Sequence, residues 1–353
     1  MGQRRCESRS VRAPIGYYVH HQGDGHRQRA LEIAAAAPER FVLLGTGLKG
    51  RTEDIACVDL EDDRPHEGDR FSGRDEAPVR PEALHYAPYH HAGVRARTAR
   101  FAQWISDAKP ALMVIDVSVE MAMLARLCAT PVVYVRLAGD RSDPAHLDAF
   151  RGAEALLAPF HERLDGPVAR EVRDKTHYFA SRRYSGPKRG AGILVVHGRG
   201  GDPLDGAKLA AAAEATPDQV WTGVGPIEPP PVMPPNLKLA GWIDAIGDEI
   251  DKAEIVVGGA GDGLLNAVIS ADKPFVCLPE PRAYNEQIAK AERLAVLGAS
   301  IVLAQWPQAQ QWPSILRSAL SLSPADRQQI SGQGLGAAGL WLVDLASELE
   351  ARR

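Results

Sequence analysis

The stretch that decides the fold is Val256–Ala267, VVGGAGDGLLNA, followed by Lys273–Gln287, KPFVCLPEPRAYNEQ. A short apolar run bounded by turn residues reads as a strand buried on both faces. Glycines at 258, 259, 261 and 263 let the chain turn tightly, and they bring backbone N–H groups close to a ligand. A helical pattern follows, then a second apolar run that ends in Pro279, Pro281 and the pair Glu286–Gln287. Strand, glycine turn, helix and strand make up half of a doubly wound sheet, whose ligands sit beyond the carboxyl ends of the strands. As a dinucleotide fingerprint the turn fails. Gly259 and Gly261 start the pattern, but Leu264 stands where a third glycine belongs, and the unit is not the first of its domain. The stretch reads as a pocket for a nucleotide bearing a small polar group.

The same alternation runs outward in both directions. Strands are expected at Ile15–Val19, Phe41–Gly45, Ala111–Val117, Pro131–Arg136 and Ala155–Ala158. Helices are expected at Arg27–Ala37 and Val119–Cys128. The pattern restarts after a polar Gly/Pro segment, Ser181–Gly190, with strands at Gly192–Val196, Val220–Gly223, Leu237–Ala240, Ile255–Val257 and Pro274–Leu278. Strands alternating with helices indicate parallel α/β structure. Two such halves joined by one linker predict two Rossmann-like domains facing a cleft. Residues 1–13 read as a disordered tail, 14–185 as the first domain, 190–335 as the second, and 338–353 as a terminal helix. That helix carries Trp341, Leu342, Leu345 and Leu349 on one face, which calls for burial. Packing on its own domain and crossing back onto the first both satisfy this. Between about Asp59 and Gly93 the periodicity vanishes, and so long a loop in a compact domain marks function or disorder.

The bulk numbers exclude several classes. The chain has 353 residues, 45% of them apolar, and a formal net charge of -4. That charge gives no global attraction to nucleic acid. No stretch reaches the roughly 20 apolar residues of a membrane span, and the Arg-rich start lacks the apolar core of a secretory signal. A cytoplasmic placement is expected, with peripheral membrane contact at most. Cys6, Cys57, Cys128 and Cys277 are far apart, as in a reduced protein without a cysteine metal site. The helix near Val94–Ile105 sets Arg95, Arg97 and Arg100 beside Phe101, Trp104 and Ile105. It reads either as a membrane-surface helix or as a sheet-packing helix with a basic outer face.

Four further motifs carry chemistry. The first strand opens into His20–His21–Gln22–Gly23–Asp24–Gly25–His26. A histidine there can take a proton from a hydroxyl near neutral pH. A helix-capping turn is the plainer alternative. Three close histidines also raise a metal site, but no carboxylate or cysteine at ligand spacing supports one. Asp116 ends a buried strand, where it either orients one of these histidines or caps the next helix. Arg136–Asp143, RLAGDRSD, mixes both charges at another strand end, suited to an anionic group or to a solvated salt-bridged loop. Val195–Asp202, VVHGRGGD, is a strand entering a glycine turn whose N–H groups, with Arg199, suit a phosphate.

In this order the motifs resemble the GT-B glycosyltransferases of family 28, over about residues 15–335 and most closely in the C-terminal half. The family's first glycine-rich loop ends in Gly-His, here Gly25–His26. Its second-domain turn is similar to Gly198–Arg199–Gly200–Gly201. Its donor signature, glycines and then Thr-x-x-Glu, aligns with Gly259–Asn266, and its later proline-rich loop aligns with Pro279–Gln287. Gly263 replaces the threonine and Asn266 replaces the glutamate, so a ribose hydroxyl would meet a neutral partner and a weaker bond.

The resemblance implies an inverting, metal-independent hexosyltransferase without a cofactor. It would use a nucleotide-diphosphate sugar, foremost a UDP-sugar, and a hydroxyl acceptor, either lipid-linked or a small molecule. The donor site implied is Gly198, Arg199, Gly200, Gly201, Gly259, Gly261, Asp262, Gly263, Asn266, Glu286 and Gln287, with Gly23 and Gly25 on the acceptor side. His26, His21 or His20 would be the base, and Asp116 its orienter. The rivals are a nucleotide-sugar 2-epimerase, which needs further carboxylates around the sugar, and a nucleotide-sugar-binding protein without catalysis.

Overall fold

The computed structural model describes residues 12–21, 24–64, 81–183, 190–199, 202–243 and 246–352. Most of the expected tail and the middle of the long loop lie outside these residues. The first half runs β1 (Ile15–Tyr18), α1 (Gly25–Ala34), β2 (Phe41–Gly45), β3 (Ala56–Asp59), α2 (Ala92–Ala108), β4 (Leu112–Asp116), α3 (Val119–Leu127), β5 (Val132–Val135), α4 (Pro144–Gly152), β6 (Ala155–Ala158), α5 (Arg170–Lys175) and β7 (Thr176–Tyr178). The second half runs β8 (Ile193–Val196), α6 (Gly206–Glu214), β9 (Trp221–Val224), β10 (Leu237–Gly241), α7 (Gly247–Lys252), β11 (Ile255–Gly258), α8 (Asp262–Ser270), β12 (Phe275–Cys277), α9 (Glu286–Val296), β13 (Ile301–Val302), α10 (Trp312–Ser321), α11 (Pro324–Gln328) and α12 (Leu335–Ala351).

Among the described residues these strands form two parallel sheets, β3-β2-β1-β4-β5-β6-β7 and β10-β9-β8-β11-β12-β13. Both have the doubly wound order that reverses beside the first strand. Each therefore opens a crevice at its reversal, between β1 and β4 in one sheet and between β8 and β11 in the other. The central strands are buried on both faces, which is why they read as unbroken apolar runs. The additional strands β3, β7 and β13 have two to four residues, lie at or near the sheet edges and are only partly buried, so they carry no such run.

The terminal helix crosses back. Leu335, Ala338, Leu342, Ala346 and Leu349 of α12 join the core of the first sheet with Ile15, Ile33 and Phe41. A Cβ on Gly339 would stand 2.1 Å from the Ile33 carbonyl oxygen, so α12 presses directly on α1. A second bridge is apolar: Ala138, Ala158, Phe160 and Leu164 share a core with Leu194, Val256 and Leu294 of the second sheet.

The membrane-surface reading of α2 fails. Phe101 and Ile105 are buried in the core, with Trp104 packed against it. Arg97 is 1% exposed and donates to the Tyr18 hydroxyl at 2.9 Å. Among the described residues no helix is long and apolar enough to cross a membrane.

Candidate active site

The crevice of the first sheet holds the histidine loop and Asp116. Ser118, not Asp116, caps α3, accepting from the Met121 N–H at 3.2 Å. The Asp116 side chain is therefore available, and it is fully buried. It faces His26 Nδ1 at 3.0 Å, accepts from the Tyr17 hydroxyl at 3.2 Å, and takes a fork from Arg29, Nε at 3.1 Å and Nη2 at 3.0 Å. Burial alone would raise its pKa. The Arg29 guanidinium and then His26 outweigh that and hold the carboxyl below the usual range, so it is ionised. The next residue, Val117, has φ 54°, a strained value for a β-branched side chain, and the Tyr134 hydroxyl donates to its carbonyl at 2.5 Å. The strand end is thus bent and held beside Asp116.

Arg29 Nη2 also lies 2.9 Å from His26 Nδ1. Nδ1 therefore faces a carboxylate and a guanidinium together, and Nε2 is the ring nitrogen that neither engages. The other two histidines are placed differently. His20 is pushed down to about 3, by burial first and then by His26 and His21, so it stays neutral. His21 stacks on His20 and pairs with Asp63 at 3.1 Å.

On the second sheet, Gly261 caps α8 and Asp262 begins it. Asp262 is paired with Lys290 at 2.6 Å and with Arg29 at 3.2 Å, the latter across the cleft. Burial would raise its pKa, and Lys290 and Arg29 lower it on balance. A cavity of about 690 Å³ opens between the halves, and its lining includes Gly25, His26, Arg29, Asp262, Gly263, Asn266 and Glu286. The donor-side residues Gly198, Arg199, Gly259, Gly261 and Gln287 are not in that lining. Arg199 stacks over Trp242, 3.7 Å from the ring centroid. Gln287 is buried, and its Oε1 accepts from the Ala260 and Glu280 N–H groups, both at 3.0 Å, pinning the glycine turn to the proline-rich loop. Gly23, Gly200 and Gly201 lie outside the described residues.

The RLAGDRSD loop grips the other half of the molecule. Asp140 N–H donates to the Tyr284 carbonyl at 2.8 Å, and Gly139, at φ 97°, leaves no room for a Cβ, which would stand 2.2 Å from that oxygen. Arg141 lies 4.7 Å from the Tyr284 ring centroid and 3.6 Å from Glu286. His85 and His146 flank the same ring.

Among the described residues, two groups gather metal-ligand atoms: His85, Asp143 and His146, and His21, Asp62 and Asp63. Guanidinium groups already serve both. Arg141 Nη1 donates to His146 Nε2 at 3.0 Å, which puts the His146 proton on Nδ1, toward Asp143 at 2.6 Å. Arg97 pairs with Asp63, and Arg64 forks onto Asp62. A cation placed in either group would face that positive charge.

With this geometry, residues 213–328 match the Glycosyltransferase family 28 C-terminal domain. The match covers most of the second half of the chain and none of the first. The whole chain has the GT-B fold of solved glycosyltransferases. It is similar to the Spinosyn Forosaminyltransferase SpnP at TM-score 0.71 and 13% identity, covering 95% of this chain and 100% of that one. MurG of Acinetobacter baumannii is similar at TM-score 0.61 and 17% identity, with 95% and 99% covered. The Spinosyn Rhamnosyltransferase SpnG complexed with thymidine diphosphate is similar at TM-score 0.63 and 15% identity, with 93% and 99% covered. No curated protein sequence matches the chain. A match to a family 28 domain model within a GT-B fold identifies the chain as a glycosyltransferase.

Sequence reasoning missed Arg29, Lys290 and Tyr284. Arg29 had a faint signal: it lies one turn after His26, so it shares a helix face with it. Lys290 and Tyr284 had none, because their partners are far away in the chain.

Proposed function

We propose that the protein transfers a sugar from a nucleotide-diphosphate donor to an acceptor hydroxyl, with inversion and without a metal. The observation that carries this is the His26–Asp116 pair at the crevice of the first sheet, whose His26 lines one cavity with Asp262, Gly263 and Asn266 of the second. His26 Nε2 takes the acceptor proton as its oxygen attacks the sugar carbon from the side opposite the leaving diphosphate. Asp116 holds the imidazole in the needed tautomer and stabilises the imidazolium. The diphosphate leaves toward the first turn of α8, whose N–H groups point outward and whose dipole favours an anion. Asn266 reaches the ribose, and Glu286 the sugar. The first half presents the acceptor, a lipid-linked or small-molecule hydroxyl.

The family resemblance favours a uridine donor, and the SpnG complex shows thymidine diphosphate in that neighbour. Calorimetry with UDP, GDP and dTDP separates these. One nucleotide binds, and Asn266→Ala weakens it. Equal binding to the Asn266→Ala variant removes the donor site from this cavity. A second reading, binding without turnover, is favoured by one observation: the ionised Asp262 occupies the helix end that would receive the leaving group.

A further inference from the structure

Arg29 is 7% exposed and spends its guanidinium on both halves of the molecule. Nε and Nη2 fork onto Asp116, and Nη1 reaches Asp262 Oδ2 at 3.2 Å. Asp262 in turn holds the buried Lys290. The network carries two positive groups, Arg29 and Lys290, and two negative ones, Asp116 and Asp262. A diphosphate arriving at α8 meets the Asp262 carboxylate first. Lys290 already neutralises that carboxylate within the second domain. Arg29, from the first domain, is the further cation beside it.

We propose that Arg29 is a positioning residue that links the two substrates' sites: it orients Asp116 behind His26 and supplies from across the cleft the charge that lets α8 accept a diphosphate. This rests on the donor site proposed above. Asp262 sets the opposing charge, so the two residues act on the same two quantities with opposite signs. Neither quantity requires the acceptor to be known.

The test uses the full chain and three variants, Arg29→Gln, Asp262→Asn and the double substitution, each checked for folding by near-UV circular dichroism. Two quantities are read: affinity for UDP, GDP and dTDP by calorimetry, and the titration midpoint of the His26 ring by NMR. Arg29→Gln weakens the bound nucleotide on the order of tenfold and moves the His26 midpoint to higher pH, because a cation beside the ring is gone. Asp262→Asn tightens the nucleotide and moves the midpoint to lower pH. The double variant returns both toward wild type. Loss of folding alone cannot produce opposite signs. Unchanged affinity and midpoint in folded Arg29→Gln overturn the proposal, and so do shifts of the same sign in both single variants. If wild type binds none of the three nucleotides, the donor-site reading fails and takes the diphosphate half of the proposal with it. The His26 midpoint then decides the other half, which stands if Arg29→Gln moves it and falls if not.

Discussion

At the scale of single residues, the three histidines of one loop have three different surroundings. His26 faces Asp116 and the cavity, His20 is buried neutral, and His21 answers to Asp63. Replacing His26 with alanine should lower turnover by about 10²–10⁴, the range for a lost general base, and leave nucleotide affinity within about twofold. Steady-state kinetics with calorimetry on the same variant checks this, and unchanged turnover removes His26 as the base. Buried neutral histidines also have a cost at low pH. Burial lowers His20 to about 3 and His146 to about 4, against about 6.5 in an unfolded chain. Both groups bind protons more readily when unfolded. Their contribution to stability is complete above about pH 6.5 and falls as pH drops toward the folded values. Asp116, held below the ordinary carboxyl range, adds a further loss only at more acid pH. Urea unfolding at pH 7.5 and 5.5 should show a clear loss, smaller in His20→Phe. An equal loss in that variant means His20 is not the group responsible.

At the scale of elements, the most legible parts of the sequence were those whose own residues carry the signal. β1, β4, β5, β8 and β11 appear as apolar runs because both faces are covered, and the glycine turn before α8 announces itself by composition. The edge strands β3, β7 and β13 gave no run. The Val94–Ile105 helix pattern fitted two environments, and only the contacts of Phe101 and Arg97 separate them. The same holds for α12, whose apolar face did not name its partner. That partner is α1, at a contact so close that a side chain cannot enter. Gly339→Val should therefore cost about 1–3 kcal/mol or more through overpacking. Gly336→Val lies on the same helix, where an added Cβ meets nothing within 4 Å, and should be far milder. Thermal unfolding compares the two, and equal midpoints would mean that α12 does not dock there.

At the scale of the whole molecule, two crevices face one another because the described residues tie the two halves together at several places. α12 returns to the first sheet, Phe160 and Leu164 enter the core of the second, and the Gly139–Arg141 loop clasps Tyr284. These ties join residues that lie far outside one another's local pattern, so that pattern could not reveal them. The His26–Asp116 pair was legible as two strand-end residues, and the fold supplied their meeting. The Arg29–Asp262 bridge was not legible, since nothing near either residue points to the other. The account makes the resulting cavity a place where a nucleotide sugar loses its nucleotide. The most direct measurement is phosphorus NMR of the full chain with UDP-, GDP- and dTDP-glucose, without acceptor. The account predicts slow release of the nucleoside diphosphate from one of them, lost in Asn266→Ala. Binding with no release, or an isomerised sugar still attached to its nucleotide, would contradict it.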